Sequence, residues 1–210
     1  GQLDNTIILF TSDHGNHFKT RNAEYKRSCH EASIHVPTAF RGPGFQGGGR
    51  IDRLVSLVDL PPTLLDAAGI DIPEVMEGRS ILPLLHGARV EDWPEEVFVQ
   101  ISESQTGRCV RTERWKYSVR CPEMTEEGLP VSKPGSDVYE DDFLYDLDAD
   151  PWEQTNLIGM TPFREIVEDL RRRLVRRMTE VGETEPRFID APEVFPFQRK
   201  PNYSGGSGVA

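Results

Sequence analysis

The chain has 210 residues, 37% hydrophobic and 28% charged, the proportions of a folded domain and not of a disordered one. Its 24 Lys and Arg against 35 Asp and Glu give a net charge of -11, which argues against a non-specific nucleic-acid binder because a phosphate backbone would be repelled. Three cysteines, Cys29, Cys109 and Cys121, without a CxxC pair argue against a disulfide framework or a thiolate zinc site, and no apolar run approaches the ~20 residues that span a bilayer.

In chain order, Thr6-Ile7-Ile8-Leu9-Phe10-Thr11 predicts a strand buried on both faces. It ends at Ser12-Asp13-His14-Gly15, and a polar stretch runs on to Glu31. A second strand is expected over 34–40, closing in Arg41-Gly42-Pro43-Gly44. Asp59 is placed to cap a helix that carries Pro61 and Pro62 in its first turn and ends at Gly69. Ser80 is placed to cap a short helix over 81–85, stopped by Gly87. Strand, loop, strand and helix make an α/β layer.

From Trp93 the pattern changes. Residues 97–101, 109–111, 115–119 and 143–147 read as short strands, with Trp115 and Tyr117 packing on one face. A long helix follows, with Thr161 and Pro162 at its start, Gly182 at its end, and Phe163, Ile166, Val167, Leu170, Leu174, Val175, Met178 and Val181 in one stripe. Strands followed by a helix predict a small α+β subdomain with an antiparallel sheet. The expected organisation is 1–92, 93–182 and an extended tail over 183–210. Arg171, Arg172, Arg173, Arg176 and Arg177 read as a solvated helix face, and Asp141, Asp142, Asp146, Asp148 and Asp150 as turn residues, lacking the spacing of an EF-hand.

Asp13 and His14 lie just beyond the C-terminal end of a strand, the edge where open α/β sheets bind ligands. A carboxylate beside an imidazole suits a divalent cation; the alternative is a turn-capping Asp and a solvated His. His17, Lys19, Arg21, Lys26, Arg27 and His30 concentrate positive charge in the following loop, as a small oxyanion substrate requires, or else form an ordinary solvated loop.

Taken in order, several motifs resemble the sulfatase family: Thr11-Ser12-Asp13-His14-Gly15; Lys26 five residues before Glu31; Ser33-Ile34-His35-Val36-Pro37; and Gly42-Pro43-Gly44. The likeness continues through Leu57-Val58-Asp59-Leu60-Pro61-Pro62-Thr63, Gly78-Arg79-Ser80, Arg114-Trp115-Lys116-Tyr117 and Leu144-Tyr145-Asp146-Leu147, and reaches Asp150-Pro151-Trp152-Glu153 and Asn156-Leu157. It implies the C-terminal part of an alkaline-phosphatase-like α/β sandwich over 1–92, then a small α+β subdomain with a four-stranded antiparallel sheet and a C-terminal helix. It also implies hydrolysis of sulfate esters, including those of carbohydrates, with Asp13 and His14 as metal ligands. The metal implied is Ca2+ first, with Mg2+ or Mn2+ as alternatives. Lys26 is implied as the catalytic, sulfate-binding lysine, and His17 and His30 as substrate-pocket residues.

The family makes its nucleophile, formylglycine, from the first residue of Cys/Ser-x-Pro/Ala-x-Arg, and none of the three cysteines begins that motif. The nucleophile and a first Asp-Asp metal pair are therefore expected in an N-terminal part of the same enzyme, so these 210 residues alone are expected to be inactive. His30 stands where the family has Tyr, and either reaches the pocket or packs as Tyr would; His35 reads as structural. The alternatives are a phosphoester or phosphonate hydrolase of the same superfamily, and a truncated, non-catalytic binding or assembly module. Expected partners are a sulfated small molecule or carbohydrate and the N-terminal part, with an oligomer also open. Members of the family are often secreted, periplasmic or lysosomal.

Overall fold

The computed structural model describes residues 1–85 and 90–194. Two sheets organise it. The smaller pairs β1 (Ile8–Phe10) with β2 (Ala39–Arg41), antiparallel, Leu9 opposite Phe40. The strand expected to be buried on both faces instead leaves Ile8 and Phe10 43% and 65% exposed, because among the described residues only β2 pairs with it. The strand expected over 34–40 is also shorter. Helix α1 (Glu31–Ile34) takes up its start, and Pro37, which has no N–H to give a ladder, separates α1 from β2.

A 3-10 turn, Leu57–Asp59, leads into α2 (Leu60–Ala67). Asp59 ties two segments together: its carboxylate accepts the Ser56 N–H at 2.8 Å and the Arg79 N–H at 2.9 Å. Ser80 Oγ accepts the Leu82 N–H at 3.3 Å at the start of α3 (Leu82–Leu85). The stop expected at Gly87 lies outside the described residues.

The larger sheet runs β3 (Glu96–Ile101), β4 (Gly107–Thr112), β5 (Trp115–Arg120), β6 (Val138–Asp146) and β7 (Arg187–Ile189), in that order. The first four are antiparallel. The segment read as an extended tail adds the fifth strand, β7, parallel to β6 and packing Phe188 against the core. Helix α4 (Arg164–Glu180) follows a 3-10 turn at Thr161–Phe163 and stops at Gly182, whose φ of +85° favours glycine.

Leu170, Leu174 and Met178 of α4 close one face of this sheet against Val110, Tyr117, Val119, Tyr139 and Leu144. Each such side chain contributes roughly 1.5–3 kcal/mol by leaving water. The arginines expected on a solvated face are largely tied down. Arg173 reaches buried Glu96 at 3.1 Å, Arg176 also pairs with Glu96, and Arg171 holds Asp141 at 2.8 Å and Asp190 at 2.7 Å. They lace α4 to β3, to β6 and to the chain after β7. No helix among the described residues is long and apolar enough to cross a membrane.

The opposite face carries Ile101, Cys109, Phe143, Tyr145 and Leu147, and Cys29 from the 11–34 segment packs directly on it. All three cysteines are free and buried. This second face positions the candidate site.

Candidate functional site

The chain leaves β1 and passes against α1 at Gly15, whose N–H donates to Ser33 O at 2.8 Å. A Cβ on Gly15 would stand 2.1 Å from the Ala32 carbonyl oxygen, so no other residue permits that approach. Beyond it the loop folds back on itself. The His17 N–H donates to Tyr25 O at 2.8 Å, and Phe18 and Lys19 take left-handed φ values of 52° and 61° to make the turn. This return brings Lys26 beside His14, twelve residues away in sequence.

Lys26 Nζ lies 2.9 Å from His14 Nε2, and His14 Nδ1 lies 2.7 Å from the Gly15 carbonyl oxygen. A carbonyl only accepts and an ammonium only donates, so the proton sits on Nδ1 and Nε2 presents its lone pair. Asp13 Oδ2 is 3.3 Å from the same Nε2. The Lys26 ammonium donates to the Nε2 lone pair and supplies the positive charge beside these two acceptors. At metal–ligand distances of about 2.4 Å the Asp13–His14 spacing subtends roughly 90° at one ion, the angle of adjacent ligands. The donor types and spacing of Asp13 and His14 suit two ligands of a divalent cation, on condition that Lys26 turns away from the Nε2 lone pair it takes here. Among the described residues no His, Cys, Asp or Glu joins them to make a group of three. Asp13 is largely exposed, and the Tyr25 ring stands edge-on to His14 at 6.1 Å.

Two further histidines, His17 and His30, lie beneath the loop. His17 is buried, with neither ring nitrogen hydrogen-bonded, and burial, helped by the Arg21 charge, pulls its pKa down. His30 packs at 4.5 Å on Phe143, with Nε2 3.2 Å from the Tyr145 hydroxyl and Nδ1 hydrogen-bonded to Ser28 Oγ. Burial first, then the charges of Arg21, Lys116 and His17, depress its pKa to about 3. His30 thus packs in the interior, and both its nitrogens are committed there. His35 is exposed and pairs with Glu31 at 3.3 Å, a contact that raises its pKa.

A third cluster carries more buried charge than any motif suggests. Lys116 of β5 is fully buried, and its Nζ lies 2.6 Å from both Glu31 Oε1 and Glu153 Oε1. Glu153 is 2% exposed; its Oε2 accepts the Glu31 N–H at 3.0 Å, and its carbonyl accepts from the Arg21 guanidinium at 2.7 Å. Arg111 approaches Glu31 at 3.4 Å. Burial alone would raise the Glu31 pKa, but the hydrogen bonds of His35 and Lys116 and the charges of Lys116 and Arg111 hold it well below the usual carboxylate range. Strand alternation puts Lys116 opposite Trp115 and Tyr117, the one sequence signal of this cluster. The partners are 85 and 37 residues away, beyond local pattern.

A family model described as N-sulphoglucosamine sulphohydrolase, C-terminal, matches residues 23–180. Mouse Arylsulfatase K is 34% identical over 181 residues, 82% of this chain and 30% of its own length. The chain thus spans about a third of the length of the curated relatives it matches. Among solved structures, a putative sulfatase from Bacteroides thetaiotaomicron superposes with a TM-score of 0.69 at 29% identity, covering 86% of this chain and 37% of that one. A 2-O GAG sulfatase superposes with a TM-score of 0.67 at 30% identity, covering 84% and 37%. The chain has the mixed α/β fold of these alkaline-phosphatase-superfamily neighbours, and it belongs to the N-sulphoglucosamine sulphohydrolase C-terminal family of sulfatases.

Proposed function

We propose that this chain is the C-terminal part of a sulfuric ester hydrolase and contributes Asp13, His14 and Lys26 to its site. The observation that carries the reading is the convergence on His14 Nε2, with Lys26 Nζ at 2.9 Å and Asp13 Oδ2 at 3.3 Å at one exposed point beyond β1. Asp13 and His14 are the residues to hold a divalent cation, calcium first by family resemblance and Mg2+ or Mn2+ next. When bound, such a cation supplies positive charge that polarises the oxygens of a sulfate ester. Lys26 supplies N–H donors to the same oxygens and offsets the charge that develops on the departing alcohol oxygen. The Gly15 carbonyl keeps the proton of His14 on Nδ1, so Nε2 is left as the acceptor, taken here by Lys26 and open to the cation when Lys26 turns to the substrate oxygens.

The three buried cysteines of this chain are poorly placed to attack, so the nucleophile is assigned to the N-terminal part of the same polypeptide. That part is also the proposed cover for Ile8 and Phe10, and for Leu57 and Val58, which are exposed together with them. The similarity to a 2-O GAG sulfatase favours a sulfated carbohydrate as substrate.

The test is turnover of an aryl sulfate against the matching aryl phosphate by the longer polypeptide containing this chain. The expected result is preference for the sulfate, and loss of about 100-fold or more in kcat for Lys26→Met, the scale of removing one oxyanion donor. Preference for the phosphate, or full activity in Lys26→Met, would overturn the reading.

A further inference from the structure

Lys26 sits midway along a loop whose two ends, Arg21 and Glu31, are both held by one residue more than 120 positions away. The Arg21 guanidinium donates to the Glu153 carbonyl at 2.7 Å and to the Trp152 carbonyl at 2.8 Å. The Glu31 N–H donates to Glu153 Oε2 at 3.0 Å. Glu153 is itself fixed from below: Oε1 receives Lys116 Nζ at 2.6 Å, its N–H donates to Asp150 O at 3.0 Å, and its φ of 55° is a left-handed value that a non-glycine residue adopts only under constraint. The loop is also tied to the sheet by His30 on Tyr145, by the Glu31 carboxylate on Lys116 and Arg111, and through Arg27 to Glu103, Ser104 and the Gln105 side chain in the more exposed β3–β4 connection. Of all these partners only Glu153 reaches both ends of the loop.

From this geometry we infer that Glu153 is the positioning residue of Lys26: it closes the 21–31 loop at both ends and sets the Lys26 ammonium against His14. Neither carboxylate oxygen is spare. Oε1 is taken by Lys116 and Oε2 by the Glu31 N–H, so an amide in its place keeps one acceptor and turns a donor toward a donor. The buried ion pair thereby acts on the chemistry through geometry, making the C-terminal sheet part of the active-site framework. The inference rests on Lys26 as the sulfate-ester donor, and a displacement of its ammonium by about 1 Å would cost on the order of 100-fold in rate.

The experiment compares Glu153→Gln and Arg21→Met with wild type in two measurements. In the 210-residue chain, NMR follows the cross-relaxation between the Lys26 ε-protons and the His14 ring, with the Val110, Leu144 and Leu174 methyl signals reporting the α4-side core. The expected result is loss of the Lys26–His14 contact in both variants with the core methyls unmoved. In the longer polypeptide, kcat toward an aryl sulfate should fall by about 100-fold with KM changed less. Retention of the Lys26–His14 contact in both variants overturns the inference, as does its loss only together with the core signals. Arg21→Met leaves every buried charge in place, so it decides the matter if Glu153→Gln fails to fold. A lost contact in a longer polypeptide that hydrolyses no sulfate ester would leave the loop-setting role standing and refute the sulfatase reading instead.

Discussion

On the α4 side of the five-stranded sheet, Leu170, Leu174 and Met178 meet Val110, Tyr117 and Leu144 in an apolar core whose arginine–carboxylate pairs lie at its edges. On the opposite side, the 11–34 segment is held by Cys29 and His30 on an aromatic floor of Phe143 and Tyr145, and by the Lys116, Glu31 and Glu153 charges. The apolar face is tolerant: its energy scales with area, and neighbours relax around a change. The charged face gains little net energy, because desolvation offsets the attraction of the pairs, but it penalises misplacement heavily. The loop that holds Lys26 within hydrogen-bonding distance of His14 is fixed largely by the second kind of contact, and helix α4 largely by the first.

Substitutions can break this contrast. The largest effect is expected for Lys116→Met, which leaves buried Glu153 without its cation and half-buried Glu31 with only Arg111 and His35, and costs about 3–5 kcal/mol in chemical denaturation. Adding Glu153→Leu should recover part of that loss while leaving the Lys26 loop unset; additive losses would show that Lys116 and Glu153 are not energetically coupled. Leu174→Ala, fully buried on the helix side, should cost about 3 kcal/mol by opening a cavity, yet leave the Lys26–His14 contact intact.

Acidification gives an intermediate and signed effect. His30 is depressed to about 3 in the folded chain from an ordinary 6.5, so between those values the unfolded chain binds a proton that the folded chain does not. Stability therefore falls as pH drops through that window, and Glu31 adds to the fall below its ordinary 4.5. Asp142, raised to about 6 by burial, acts in the opposite sense but is common to wild type and His30→Phe. The stability difference between those two proteins, measured by urea titration from pH 7 to 4, should shift steadily in favour of the variant. A pH-independent difference would show that His30 is not held neutral. The smallest effect is expected for Arg172→Ala, which removes only an exposed i,i+3 pair with Asp169 and should change stability by no more than about 0.5 kcal/mol.

How much of this was legible in the sequence differs by element. The α4 stripe and its stop at Gly182 follow from a 3.6-residue period and a left-handed terminator, both local properties. The strands at 97–101 and 115–119 lie within β3 and β5, because a sheet that is covered selects β-branched and aromatic residues along its length. Strand β1 has the same kind of residues yet stands half exposed, since burial belongs to what covers a strand and not to the strand. The short β7 carries only Phe188 as a signal amid charged and proline-rich neighbours, too little for a strand to be read.

At the site, motif order alone singles out Asp13, His14 and Lys26 as candidates, and the fold brings the three side chains together. His30 was left between pocket and packing, and only Phe143 and Tyr145, more than a hundred residues on, commit it to packing. Strand alternation determined that Lys116 faces away from Trp115 and Tyr117, but whether that direction is wet or dry was open. The tertiary structure decided it, by laying the 11–34 segment across that face and bringing Glu31 and Glu153 within 2.6 Å of Nζ. Periodicity is written in neighbours along the chain, whereas the pairing of a buried charge is settled by residues that meet only after the chain has folded.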